Sequence, residues 1–81
     1  MNIQNITAFL AIVHTGTISK AAQELYLTQS AVSHRLKSLE DEINAQLIIR
    51  FQGRQGIKLT AKGEEFIPIA ERWLSLLQDT H

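Results

Sequence analysis

Between positions 29 and 37 the sequence sets out an amide (Gln29), two small hydroxyls (Ser30, Ser33), an imidazole (His34) and an ammonium (Lys37). On a helix, at about 100° per residue, Ser30, Ser33, His34 and Lys37 gather on the side opposite Val32, Leu36, Leu39 and Ile43, with Gln29 at the helix start. A glutamine amide can pair bidentately with adenine, and a serine hydroxyl can donate or accept, so the pattern suits reading base edges in a groove. Ser30, Ala31 and Ser33 are small enough to let the backbone approach closely, and the free N–H groups of a first turn can face a phosphate. Glu40, Asp41 and Glu42 crowd the other end, so only the N-terminal half of such a helix can enter the groove of a polyanion. Taken alone, the same spelling also describes an ordinary surface helix with a solvated polar face.

A second cluster lies further on. Arg50 and Lys58 flank Gln52-Gly53-Arg54-Gln55-Gly56, which puts Arg54 near the tip of a turn between two glycines. An arginine on a projecting turn suits a narrow minor groove, where negative potential is strongest. An exposed turn with a solubilising charge would look alike. Other chemistries fail on spacing. His14, His34 and His81 lack metal-ligand intervals and have no cysteine to join them. Ser33, His34 and Asp41 spell a hydrolytic triad, but adjacent helical residues point about 100° apart and nothing excludes water. The glycine turn joins two strands rather than a strand and a helix, so it is not a phosphate-binding loop. A chain of 81 residues also has little apolar surface to spare for a catalytic cavity. These features imply a protein that is not an enzyme and holds no metal or cofactor.

The elements that must position these side chains follow from hydrophobic period and caps. Ile3, Ile6, Phe9 or Leu10, and Val13 recur at helical spacing and end at His14-Thr15-Gly16, where glycine suits a helix C-terminus. Thr17 can cap a second helix with Ile18, Ala21, Ala22 and Leu25 on one face, and Thr28 a third with Val32, Leu36, Leu39 and Ile43. From Leu47 the period becomes two: Leu47, Ile49 and Phe51 alternate with Ile48 and Arg50, and Ile57 and Leu59 flank Lys58, which predicts a β-hairpin. Thr60 can cap a fourth helix, with Phe66, Ala70, Trp73 and Leu77 in one row and Ile67, Leu74, Ile69 and Leu76 at its margins. Pro68 falls inside it and predicts a bend near Glu64. The apolar residues of this helix cover about 200° of its circumference, more than one core face can hide, which predicts a partner helix. The simplest partner is the same helix of a second subunit in a two-fold dimer.

The net charge of zero conceals an asymmetry. Residues 1–63 carry seven Lys and Arg against four acidic groups, whereas residues 64–81 carry Arg72 against Glu64, Glu65, Glu71 and Asp79. A basic body with an acidic tail is compatible with a phosphate partner despite the neutral total. The absence of cysteine, of an apolar run near 20 residues and of a signal peptide predicts a cytoplasmic protein with no membrane contact.

With these residues assembled, the run Gly16-Thr17-Ile18-Ser19-Lys20-Ala21-Ala22, then Leu25, then Leu27-Thr28-Gln29-Ser30-Ala31-Val32-Ser33 and Leu39-Glu40 resembles the N-terminal DNA-binding domain of LysR-type transcriptional regulators. Leu47, Arg50, Leu59-Thr60 and Gly63 fall where that family places its wing and linker helix. The resemblance covers essentially the whole chain. It implies a mainly α winged helix-turn-helix over residues 1–59, with the helix-turn-helix at about 18–37 and the wing at about 47–59, and a linker and dimerisation helix over residues 60–81. It also implies a homodimer on an interrupted palindrome of double-stranded DNA, with the fourth helices antiparallel. The chain would then be a fragment of a longer regulator, without the periplasmic-binding-protein-like domain that senses a small-molecule effector. By position, Thr28, Gln29, Ser30 and Ser33 would contact bases, with His34, Arg35 and Lys37 nearby for bases or phosphates. Ser19, Arg50 and Arg54 would take the backbone or minor groove, and Phe66, Ile67, Ile69, Ala70, Trp73, Leu74 and Leu77 the dimer seam. Three positions depart from the family pattern: Ser30 stands for a common proline, Ile48 for phenylalanine and Asn44 for glycine. The first alters contacts at the start of the reading helix, and the others concern packing and a turn. A reading from another class is a winged-helix interaction module that binds protein through the apolar fourth helix and does not touch DNA.

Overall fold

The computed structural model describes residues 1–51 and 56–78. Arg54, the expected wing tip, lies outside the described residues, as does the helix end expected at 79–81. The element order is α1 (Ile3–Thr15), α2 (Ile18–Leu25), α3 (Gln29–Ile43), β1 (Ile48–Arg50), β2 (Ile57–Leu59) and α4 (Ala61–Gln78). This is a winged helix-turn-helix with a long C-terminal helix, as the hydrophobic periods require.

Each helix begins on a side chain that accepts from a backbone N–H of its own first turn. Thr17 takes the N–H of Lys20 at 2.9 Å, Thr28 that of Ala31 at 3.1 Å and Thr60 that of Gly63 at 2.9 Å. The stops are left-handed residues: Gly16 at φ 84°, Tyr26 at φ 57° and Asn44 at φ 55°. Tyr26 therefore makes the turn between α2 and α3 without glycine, and its side chain is 95% exposed.

The core lies between α1, α2, α3 and the first half of α4. Ile6, Phe9, Ile12, Val32, Leu39 and Leu47 form its fully buried centre. Phe9 of α1 meets Phe66 of α4 edge to face, with centroids 5.6 Å apart. Leu36 is buried and Ile43 packs against the core, so α3 buries the predicted stripe and turns its polar face outward.

β1 and β2 pair antiparallel with Ile48 opposite Leu59, Ile49 opposite Lys58 and Arg50 opposite Ile57. The period of two that places Leu47, Ile49 and Phe51 on one side is not what the fold buries. Leu47 and Ile48 are buried, while Ile49 and Phe51 are exposed. Leu47 precedes the strand and is held by its own backbone: its carbonyl accepts from Thr60 N–H at 3.0 Å and its N–H donates to Glu40 at 2.7 Å. Strand alternation starts only after it.

α4 runs through Pro68 as one helix, and the core covers its apolar arc over only part of its length and width. Gly63, Phe66 and Ala70 face inward and are buried, whereas Ile69, Trp73, Leu76 and Leu77 are exposed. Two residues expected at a dimer seam, Phe66 and Ala70, are thus corrected: they serve the core of their own subunit. Gly63 permits the approach, since a β-carbon there would sit 2.2 Å from the Leu47 carbonyl oxygen.

Candidate nucleic-acid interface

The N-terminal half of α3 carries the predicted polar surface. Gln29, Ser30, His34 and Lys37 are exposed, and Ser33 and Arg35 are half-buried. Thr28 is exposed as well, but its hydroxyl is already engaged as the cap of α3, so it acts first on the helix and only secondarily outward. Ser19, half-buried in the first turn of α2, joins Gln29 and Arg50 around a cleft of about 230 Å³ whose floor includes Ile18, Gly56 and Ile57. Helix-turn-helix and wing therefore meet along one seam, where three of the residues expected to contact DNA, Ser19, Gln29 and Arg50, come together.

The wing is fixed to this surface from three sides. Arg50 Nη2 donates to Ser33 Oγ, joining β1 to α3. Glu40 Oε2 accepts from the N–H groups of Leu47 at 2.7 Å and Ile48 at 3.3 Å. Thr17, the cap of α2, bridges Gly56 in antiparallel fashion at the foot of β2. A carboxylate accepting two backbone N–H groups is a charge-assisted arrangement and stronger than a neutral one. Ser33 and Glu40 are two helical turns apart, about 10 Å along α3, and β1 covers about the same distance between its two attachments. The strand thus runs along the helix in the opposite direction.

The acidic end of α3 is occupied within the fold. Glu40 holds the wing, Asp41 pairs with Lys37 at 3.1 Å and Glu42 pairs with the N-terminal amine of Met1. Repulsion of a polyanion, which their charges alone predict, is thus not the only part these three residues play. Glu40's role could not be found from periodicity, because its partners are backbone groups seven and eight residues away across an irregular turn. Lys37 is likewise less free than the helical wheel suggests, although an exposed i,i+4 pair holds it weakly. Among the described residues, no three His, Asp or Glu side chains gather as a metal-holding group. No helix there is long and apolar enough to cross a membrane.

Comparison with known proteins agrees with this geometry. The family model described as the bacterial regulatory helix-turn-helix protein, lysR family, matches residues 3–64. An HTH-type transcriptional regulator in the ibpB-leuC intergenic region of Azotobacter vinelandii is 41% identical over 80 residues, covering 99% of this chain and 54% of its own length. The HTH-type transcriptional regulator HdfR of Escherichia coli is 41% identical over 78 residues, covering 96% of this chain and 27% of its own. The chain thus spans about half the length of the first relative and about a quarter of the second. In the crystal structure of the CbnR DBD–DNA complex, a chain of 29% identity superimposes with a TM-score of 0.91, covering 99% of this chain and 90% of that one. From the cap of α2 to the glycine at the start of α4, the residues, the fold and the family model coincide: the chain belongs to the lysR family of bacterial regulatory helix-turn-helix proteins.

Proposed function

We propose that this chain binds duplex DNA sequence-specifically as the N-terminal reader of a longer cytoplasmic transcriptional regulator. In this reading, residues 1–59 dock on DNA and residues 60–81 join two subunits. The observation that carries it is the polar, exposed start of α3 beside a wing anchored on the same helix. Gln29, Ser30 and Ser33 face base edges in the major groove, with His34, Arg35 and Lys37 beside them. Ser19 and Arg50 lie towards the backbone, and Arg54, by its place in the sequence, enters the adjacent minor groove. The family likeness to a domain solved on DNA supports the same orientation.

Dimerisation rests on the outward face of α4. Ile69, Trp73 and Leu76 recur at helical spacing and are 47%, 39% and 61% exposed. Leu77 lies one turn beyond Trp73, and half-buried Ile67 and Leu74 lie at the other margin of the apolar arc. Two such helices, antiparallel about a two-fold axis, would cover one another and set the spacing of two half-sites in an interrupted palindrome. A sensor domain for a small molecule belongs to the part of the regulator beyond this chain.

Selection of the protein from a random duplex library at moderate salt, followed by sequencing, tests the reading. The expected result is a two-fold symmetric motif. Gln29→Ala should keep the fold but lose discrimination at one base pair per half-site, by about 1–3 kcal/mol. A folded protein that enriches no motif would favour the interaction-module reading instead.

A further inference from the structure

We propose that Arg50 is a positioning residue for base reading: by donating to Ser33, it fixes the serine hydroxyl as a donor towards DNA. This rests on the DNA-binding reading and adds which edge of a base pair Ser33 would accept.

A free serine hydroxyl is chemically undecided, because it offers one donor and two acceptor lone pairs and rotates to suit its partner. Here it is not free. Arg50 Nη2 donates into Ser33 Oγ, and a guanidinium has donors only, so the oxygen must be the acceptor in this pair. Repulsion from the guanidinium hydrogens then turns the O–H away from Arg50. A serine in a helix can also spend its hydrogen on a carbonyl one turn back, as the Thr15 hydroxyl does on Ala11 O at 2.7 Å. Among the described residues no carbonyl takes the Ser33 hydrogen, which leaves it to donate outward.

The arrangement does not depend on a loose arginine. β1 is held on α3 by Glu40 through the amides of Leu47 and Ile48, and its partner strand is tied to Thr17 through Gly56. Arg50 leaves the strand between those anchors, opposite Ile57, and Gln29 lines the same cleft one turn before Ser33. The chemical consequence is selective. A hydroxyl whose oxygen already accepts from a cation is biased towards donating, so it matches purine N7, guanine O6 and thymine O4 better than the amino groups of cytosine and adenine, which can reach only its one remaining lone pair. Ser33 should then favour an acceptor edge, and the preference should belong to the Ser33–Arg50 pair rather than to the serine alone.

The test is the same library selection carried out on the wild-type protein, Ser33→Ala, Arg50→Ala and Arg50→Lys, with circular dichroism confirming the fold of each. Ser33→Ala marks the base pair that Ser33 reads. Arg50→Ala should relax preference at that same base pair, reducing discrimination there by about fivefold, while the other positions of the motif keep theirs. Arg50→Lys, which still donates into the serine oxygen, should restore most of it. If Arg50→Ala weakens every site alike and leaves base preference untouched, Arg50 acts on phosphates only and the proposal fails. Relaxation equally spread over the motif would also overturn it, since that is what a disordered wing would give. A wild-type protein that enriches no motif would remove the DNA reading and this inference together, whereas a clear motif with an unaltered Arg50→Ala profile would remove this inference alone.

Discussion

α3 and α4 are both amphipathic helices packed on one core, yet what each leaves outside is opposite. α3 buries Val32, Leu36 and Leu39 and presents Gln29, Ser30, His34 and Lys37, groups that hydrogen-bond. α4 buries Gly63, Phe66 and Ala70 and presents Ile69, Trp73 and Leu76, groups that are apolar apart from one indole N–H. A polar outer face can remain in water until a polar ligand arrives, whereas a continuous apolar one calls for another apolar surface. In the proposed reading the contrast separates two tasks, one helix for DNA and the other for a second subunit.

The contrast can be broken most directly on α4, where apolar residues of one row differ in whether the core covers them. Phe66→Ala should destabilise the fold by about 4 kcal/mol, because it empties the site against Phe9. Trp73→Ala should change the stability of the isolated subunit by less than about 1 kcal/mol, since the ring is 39% exposed, but should shift the protein from dimer to monomer. Urea unfolding and sedimentation equilibrium on both variants check the pair. Equal losses of stability would mean that the core of the subunit holds Trp73 as it holds Phe66.

Gly63→Ala probes how closely that inward face approaches. The added methyl would lie 2.2 Å from the Leu47 carbonyl oxygen and 3.0 Å from a Leu59 methyl. One of these contacts is backbone that also accepts from Thr60, so relief requires α4 to move away from the wing root. A loss of about 3 kcal/mol is expected, measurable as a thermal midpoint lowered by roughly 15 °C. A variant as stable as the parent would show that α4 sits on a compliant surface rather than a close contact.

How much of this was legible beforehand differs between the two helices in the same way. The polar face of α3 follows from a single stripe, Val32 to Ile43, because a helix with one apolar stripe has only one way to face the core. On α4 the row Phe66, Ala70, Trp73 and Leu77 mixes inward and outward residues. A wide apolar arc announces two contacts without saying where the core's share ends, and Phe66 and Ala70 fall within that share. The hairpin was visible from its period, but Leu47 and Ile48 are buried as neighbours because Thr60 and Glu40 fix the backbone before the strand begins. Likewise, the clamps on the wing, Glu40 on two amides and Arg50 on Ser33, join residues seven to seventeen apart and leave no periodic trace.

The smallest effect concerns the turn that leads into α3. Its two ends make the same backbone demand: Tyr26 before it stands at φ 57° and Asn44 after it at φ 55°. Asparagine visits the left-handed region readily, whereas a bulky side chain there is strained. Tyr26 receives little in return from the fold, since 95% of it remains exposed. Tyr26→Asn should therefore stabilise the subunit by about 0.5–1 kcal/mol, seen as a thermal midpoint raised by a few degrees. A stability that falls instead would place the ring in contact with α2 or α3, and the lead-in to the reading helix would have to be counted with its packed face rather than its open one. A rise accompanied by weaker DNA binding would draw the opposite boundary, extending the ligand-facing surface of α3 back across its own cap to the turn.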